Sequence, residues 1–255
     1  MLIISSWNVN SLKVRLPHVQ EWLQKNQPDV LALQETKLQD VNFPVEAFSN
    51  QGWHVAFAGQ KTFNGVAIIS KYPGVVKATE LPGFADPQRR VLAAEINGTL
   101  ILNIYVPNGQ SLNSDKYEYK LAWLKALRNY IVELHQQYKR IVVLGDFNIA
   151  PADIDVYDPL AWQGNVLVSP QERQHFEQLL STGLTDAFRL ICDEQYFSWW
   201  DYRQAAFRRN RGLRIDHILI STELKQNLQG CWIDQHPRTL ERPSDHAPVV
   251  AKFSE

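Results

Sequence analysis

Oxygen-bearing side chains stand where apolar, strand-like runs stop. Asn8 and Asn10 follow ISSW, Glu35 closes VLALQE, and Asp146 and Asn148 close RIVVLGDFN. Asp216 lies inside GLRIDHILI, and Asp245 with His246 precedes the final run PVVAKF. A carboxylate in or beside a buried strand is costly unless it is paired or bound to metal. Each residue alone has a plainer use. Glu35 could pair with Lys37, Asp146 could close an Asx turn, Asp216 could meet Arg214 or Arg211, and the asparagines could satisfy backbone groups. Their common position at strand ends favours one shared site. Carboxylate and amide oxygens without a cysteine or histidine cluster suit a hard ion, Mg²⁺ or Mn²⁺. His246 is the candidate catalytic histidine, and Asp216 is a carboxylate that could orient it. With no serine or cysteine nucleophile in the set, the chemistry that fits is hydrolysis of a phosphate ester. The ion and an imidazolium would neutralise charge, and an aspartate would activate water.

The elements that must position these groups follow from periodicity. Residues 2–7 read as a strand. Residues 12–27 have helical spacing, with Leu16, Val19, Trp22 and Leu23 on one side and Pro28 as the stop. Residues 30–33, 53–58, 65–70 and 75–81 read as strands. Residues 90–96 and 100–105 flank Asn97-Gly98, a strong hairpin signal. Residues 116–137 form the clearest helix, through Tyr117, Leu121, Leu124, Leu127 and Ile131. A buried strand at 140–144, a helix from Pro170 through Leu180, a strand at 213–220 and a last strand after Pro248 complete the set. Pro243 and Pro248 disfavour a helix around Asp245 and His246. Many strands, few helices and a hairpin predict an α+β fold of two packed sheets with helices outside, in one domain over residues 1–255.

Composition narrows the class. The 255 residues are 45% hydrophobic and 21% charged, which is ordinary for a globular chain. The net charge of −1 argues against coating nucleic acid by bulk charge. It does not exclude a nuclease, because the carboxylates of a metal site cancel arginines placed elsewhere. Cys192 and Cys231 match no metal spacing and fit a reducing compartment. The N-terminus reads as a strand rather than a signal peptide, and no apolar segment approaches membrane-spanning length. The expectation is an intracellular, cytoplasmic protein with no membrane association.

WNVNSL, ALQETKL, YVPNG, GDFNIAP, GLRIDHILIS and PSDHAPV together resemble the exonuclease III family of AP endonucleases, in the family's order and over nearly the whole chain. The resemblance implies a four-layer αββα sandwich of two mixed sheets. It also implies Mg²⁺-dependent cleavage of DNA 5′ to an abasic site, with 3′-to-5′ exonuclease and 3′-phosphodiesterase activity in many members. By motif, Glu35 matches the main metal carboxylate, with Asn8 and Asn10 beside it. Asp146 matches the residue that activates water, and Asn148 orients the phosphate or that water. Tyr105 and Asn108 match phosphate-site residues, Asp216 orients His246, and Asp245 matches a second metal or outer carboxylate. Whether His246 acts as base or as electrostatic clamp is open at this level.

Residues 196–214 read YFSWWDYRQAAFRRNRGLR, with arginines interleaved among aromatics. The plain reading is a solvated loop over a core aromatic pair. The functional one is backbone contact plus a wedging surface on DNA. The resemblance implies that Trp200, Phe207 and Leu213 line a pocket for a base-free sugar. Arg208 and Arg209, Arg89 and Arg90, and Lys37 are candidate phosphate contacts. The partner expected is double-stranded DNA with abasic sites or blocked 3′ ends, met by a monomer with no obligate protein partner. The alternative is a phosphatase or phosphodiesterase on an inositol phosphate or sphingomyelin-like substrate. A secreted DNase would be expected to carry an export signal, disulfides and a second histidine near YVPNG, and a non-catalytic DNA-binding protein would not need Glu35 with Asp146.

Overall fold

A computed structural model describes residues 1–254. The chain runs β1 (Leu2–Asn8), α1 (Leu12–Asn26), β2 (Val30–Gln34), α2 (Val45–Ser49), β3 (His54–Ala58), β4 (Val66–Ser70) and β5 (Val75–Ala78). It continues through β6 (Val91–Ile96), β7 (Thr99–Tyr105), α3 (Asp115–Gln137), β8 (Ile141–Asp146), α4 (Pro159–Trp162) and α5 (Pro170–Leu180). It ends with β9 (Leu184–Asp186), α6 (Ala187–Ile191), β10 (Asp216–Ser221), α7 (Thr222–Lys225), β11 (Leu228–Ile233) and β12 (Val249–Phe253).

The strands form two 6-stranded sheets, ordered β11-β12-β1-β2-β4-β3 and β5-β6-β7-β8-β10-β9. Their facing sides share one core. Ile4, Val30, Ala32 and Ile68 of the first sheet meet Leu92, Ile101, Val142 and Ile218 of the second. The outer side of the first sheet buries Leu31, Leu33 and Ile69 against Val19, Trp22 and Leu23 of α1. The outer side of the second buries Leu102, Val143 and Leu219 against Trp123, Leu127 and Ile131 of α3 and Phe176 of α5. Strands buried on both sides read as continuous apolar runs, as VLAL and IVVL do. The result is helix, sheet, sheet, helix, the expected αββα sandwich. Each large aliphatic side chain buried this way stabilises by roughly 1.5–3 kcal/mol.

One pairing rule in each sheet gathers the polar residues. β1 and β2 are parallel and joined by α1, and β7 and β8 are parallel and joined by α3. Their C-terminal ends therefore lie at one end of the sandwich. The antiparallel neighbours begin there: Asp216 sits opposite Asp146, and β12 pairs Val249 with Ser6.

The hairpin between β6 and β7 turns at Asn97 and Gly98, both at positive φ (47° and 71°), as its sequence requires. Two expectations need correction, and some short elements went unread. The strand from residue 75 stops at Ala78 after a register shift, and Leu81 instead joins the helix-side core. The strand expected from Leu213 starts only at Asp216, and Leu213 makes isolated bridges to Val156 and Trp199. The edge strands β9 and β11 and the helix α6 escaped periodicity. β9 is three residues long, and β11 carries Gly230 at a register break. Among the described residues no helix is long and apolar enough to cross a membrane.

Candidate active site

The side chains delivered to that end touch one another. Asn8 at the tip of β1 donates its amide to Glu35 Oε1 (3.0 Å) and to Asp146 Oδ2 (2.9 Å). Its own oxygen accepts from the Asn10 backbone N–H at 3.0 Å. His246 Nε2 lies 3.8 Å from Asp146 Oδ2, and Nδ1 lies 2.9 Å from Asp216 Oδ2. Glu35, Asp146 and His246 each offer a ligand atom, all within 4.8 Å of one another. Asn148 donates its backbone N–H to Asp146 Oδ1 (2.9 Å) and accepts from Asn108 Nδ2 (3.2 Å).

The backbone is bent to allow this. Asn10, Ser11, Glu35, Lys37 and Asn148 all have positive φ, between 43° and 92°, although none is glycine. Such conformations cost energy and persist where surrounding bonds over-determine them. Here Ser11 N–H donates to Glu35 O, Leu12 N–H to Thr36 O, and Lys37 N–H to Asn64 O. Gly145 takes φ 146°, and a Cβ there would collide with the Ile104 carbonyl, so GDFN needs its glycine.

Electrostatics separate the titrating groups. Burial raises Asp146 first, Asp216 and Glu35 add to it, and the carboxyl stands at about 7 despite His246 and Asn8. Burial alone would lower His246, but Asp216, then Asp146 and Asp245, reverse it and lift the imidazole to about 10. Burial, with the Glu35 and Asp146 charges, holds the Tyr105 phenol well above its usual range. Tyr105 is thus a neutral donor, and Arg90 covers its ring at 4.6 Å.

Several expected residues land elsewhere. Asp245 accepts from Asn10 Nδ2 (2.9 Å) and Trp199 Nε1 (3.0 Å), outside the three-residue cluster. Lys37 Nζ sits 2.9 Å from Glu35 Oε2 and 2.5 Å from Asn10 Oδ1, so it is engaged with the site's oxygens rather than free for a phosphate. Arg90 is buried and bonds Gln88 and the Tyr105 carbonyl, so it supports Tyr105. Trp200 is fully buried, edge-on to Phe207 with Arg238 over both rings, and is not placed to touch DNA. Its neighbour Trp199 is better placed, beside Trp162 and the apolar group Leu167, Leu213 and Ile215. Arg208 and Arg209 are exposed, and Arg89 keeps 40% of its side chain in solvent. Replacing Arg208 and Arg209 together by alanine is expected to weaken duplex binding and lower the slope of log K against log salt by about 1.8, since each phosphate contact contributes about 0.9. A titration series at several salt concentrations checks it, and an unchanged slope sinks the assignment.

Supporting residues carried no signal in the sequence. Ser198 Oγ donates to Asp216 Oδ2 at 2.6 Å and accepts from the N–H groups of Ile215 and Asp216. Ser244 bonds the Asn8 carbonyl at 2.7 Å. Arg15 ties the Asn10 and Pro243 carbonyls to the Tyr202 hydroxyl. A serine in a turn announces nothing until its partner is known. The nearest cue was the placement of Ser198 and Ser244 beside the aromatic and SDH motifs.

Two mixed sheets between helices, with a carboxylate–histidine cluster at the strand ends, define a metal-dependent nuclease or phosphoesterase. Residues 5–246 match the model of the Endonuclease/Exonuclease/phosphatase family, and the chain belongs to that family. The exodeoxyribonuclease III of Haemophilus influenzae is 37% identical over 262 residues, covering 97% of this chain and 98% of that protein. Among solved structures, the D146N form of the 3′ phosphatase NExo from Neisseria, bound to a product DNA hairpin, superposes with a TM-score of 0.99 at 47% identity over 100% of both chains. An AP endonuclease from Archaeoglobus fulgidus does so with 0.96 at 38% identity, again over 100% of both chains. The resemblance drawn from the six motifs is borne out at the level of the family.

Proposed function

We propose that this protein is a DNA repair hydrolase that breaks the P–O3′ bond of phosphate esters in damaged duplex DNA and leaves a 3′-hydroxyl. Incision 5′ to an abasic site, 3′-to-5′ exonuclease action and removal of 3′-blocking phosphates are the same bond cleavage on different strands. The observation that carries the reading is the continuous chain Glu35–Asn8–Asp146–His246–Asp216, with Asn108 and Asn148 beside it. The relatives named as a 3′ phosphatase and an AP endonuclease support both forms of the reaction.

A divalent cation fits the donor set. Lys37 Nζ already lies between Glu35 and Asn10 oxygens, a cation where a cation would go. Glu35 and Asp146, with the Asn10 amide oxygen, would hold the ion, Mg²⁺ by the hardness of the donors, with Mn²⁺ as a substitute. When bound, it supplies Lewis-acid neutralisation of charge on the phosphate. Asp146, near neutrality in its titration, accepts the proton of the attacking water. His246 stays an imidazolium at neutral pH because Asp216 holds it so, and acts as an electrostatic clamp rather than a base. Tyr105 and the Asn108 and Asn148 amides hold the phosphate oxygens in line.

The test is direct. Labelled duplexes bearing an abasic analogue, a 3′-phosphate or a plain recessed end are incubated with Mg²⁺ or EDTA, beside an inositol phosphate and sphingomyelin. Chelation is expected to slow every DNA reaction by at least about 10²-fold. Cleavage confined to 3′ ends would narrow the activity to end processing. Phosphate release from the small substrates alone would overturn the DNA reading.

A further inference from the structure

Lys120 of α3 and Glu172 of α5 are fully buried charges outside the metal cluster, paired at 2.5 Å. Burying such a pair is at best neutral for stability when a well-packed apolar pair could replace it. Its bonds show another use. The ammonium has three N–H groups. One goes to Glu172, and the others go to the backbone carbonyls of Asn148 (2.6 Å) and Asn108 (3.2 Å). Those residues face each other through their own side chains at the proposed phosphate site. Glu172 accepts in turn from the N–H groups of Leu167 (3.0 Å) and Ser169 (3.1 Å). Leu167 is held at φ 75°, a strained position for a branched side chain, and packs with Leu213 and Ile215. Its carbonyl accepts from Ala150 N–H at 2.7 Å, two residues beyond Asn148.

We infer that Lys120 and Glu172 are a positioning pair that fixes the phosphate-contacting asparagines Asn108 and Asn148 against the apolar wall at Leu167, Leu213 and Ile215. The inference deepens the hydrolase reading and rests on it. The pair touches no substrate and acts through four backbone groups. The two loops also meet directly, through Val106 N–H on the Asp146 carbonyl, Asn148 Nδ2 on the Val106 carbonyl and the Asn108–Asn148 side-chain bond; what the pair adds is their tie to the turn at Leu167 and Ser169. Loss of the pair leaves both loops folded and lets their distance from the apolar wall vary.

The test is the double variant Lys120→Met/Glu172→Leu, which removes both charges and keeps the volume. Its melting temperature is expected to fall by several degrees, because the four backbone groups lose their partners, with the fold retained at the assay temperature. On a 3′-phosphate duplex with Mg²⁺, kcat is expected to fall about 10- to 100-fold, the effect of small misplacement near the chemistry, with KM nearly unchanged. Amide exchange in the free protein gives a readout independent of activity. The N–H groups of Asn148 and Gln110 bond neither charge, and they are expected to exchange faster in the variant while the β7 and β8 cores keep their protection. Wild-type kcat with wild-type exchange would reduce the pair to packing and overturn the inference. If the wild type cleaves no DNA, the hydrolase reading fails, and the exchange result alone decides positioning. Should the double variant not fold, Glu172→Gln preserves the shape and is expected to show the same changes in smaller degree; wild-type kcat and exchange there overturn the inference equally.

Discussion

Asp146→Asn is expected to lower turnover by roughly 10³-fold or more while raising the stability of the metal-free protein. The kinetic half follows from what the carboxylate does. It is proposed to accept the water's proton and to share the ion with Glu35, and an amide does neither. The backbone shape is retained, because Asn148 N–H keeps one oxygen; the Asn8 amide, which used the other, loses its acceptor, and this offsets part of the stability gain. Affinity for duplex DNA should therefore hold; the relative solved as D146N is on its product DNA. The stability half follows from linkage. Asp146 is buried beside Asp216 and Glu35 and titrates at about 7, against an unfolded value of about 3.9. A carboxyl raised in the fold binds its proton more tightly there than in the unfolded chain. Stability is then full below the unfolded pKa and is lost as pH rises toward the folded one. At pH 7.5 the ionised side chain is a burden that the amide removes. A gain of about 1–2 kcal/mol, or a few degrees in Tm, is the expectation in EDTA. Single-turnover kinetics, duplex titration and calorimetry together check it. Wild-type turnover, or a marked fall in Tm, would contradict the role given to Asp146.

The metal cluster was legible because its residues stand where apolar runs end, and a parallel strand pair must bring such ends together. Asn8, Glu35 and Asp146 show this in the register of β1, β2, β7 and β8. The sandwich was legible for a related reason: VLAL and IVVL are too apolar for strands with a wet face. The recognition side was harder. Trp199 and Trp200 are adjacent, and nothing local tells which one points into the core. The structure buries Trp200 under Arg238 and leaves Trp199 beside Asp245. Buried ions such as Lys120 and Arg214 were equally opaque. A basic residue in a helix or before a strand reads as solvated until its partners, distant in sequence, are folded against it.

Behind β10 a buried network makes one histidine an acid-sensitive element, over a pH window in which Asp146 works in the opposite direction. Arg214 is fully buried between Asp155 (2.6 Å) and Asp186 (2.8 Å), and Arg189 also reaches Asp155. Arg214 Nη1 donates to His217 Nδ1 at 2.9 Å, and His217 Nε2–H donates to the Ile149 carbonyl at 2.9 Å. That arrangement needs a neutral imidazole. Burial first, then the Arg214 charge, lowers His217 to about 4. A histidine depressed in the fold contributes stability that is full above its unfolded pKa near 6.5 and drains away as pH falls to about 4. The depression corresponds to about 3 kcal/mol across that window. Asp155, held low by Arg214 and Arg189 against its burial, loses its contribution only at lower pH. His246 is raised instead, so its contribution is full below its unfolded pKa near 6.5 and is lost as pH rises from there through about 10. Urea melts of wild type and His217→Gln at pH 7, 6, 5 and 4 isolate the effect, since the glutamine can bond both neighbours without titrating. The wild type is expected to lose about 3 kcal/mol more than the variant between the ends of the series. Parallel curves would mean that His217 is protonated in the fold and that the Arg214 bond is misassigned. Arg214→Met tests the centre of the same network. It leaves Asp186 without its cation and should destabilise by about 3–5 kcal/mol. Because Arg214 stands two residues before Asp216, the same variant should loosen the hold on His246. Its residual activity should fall further than its stability at the assay temperature accounts for.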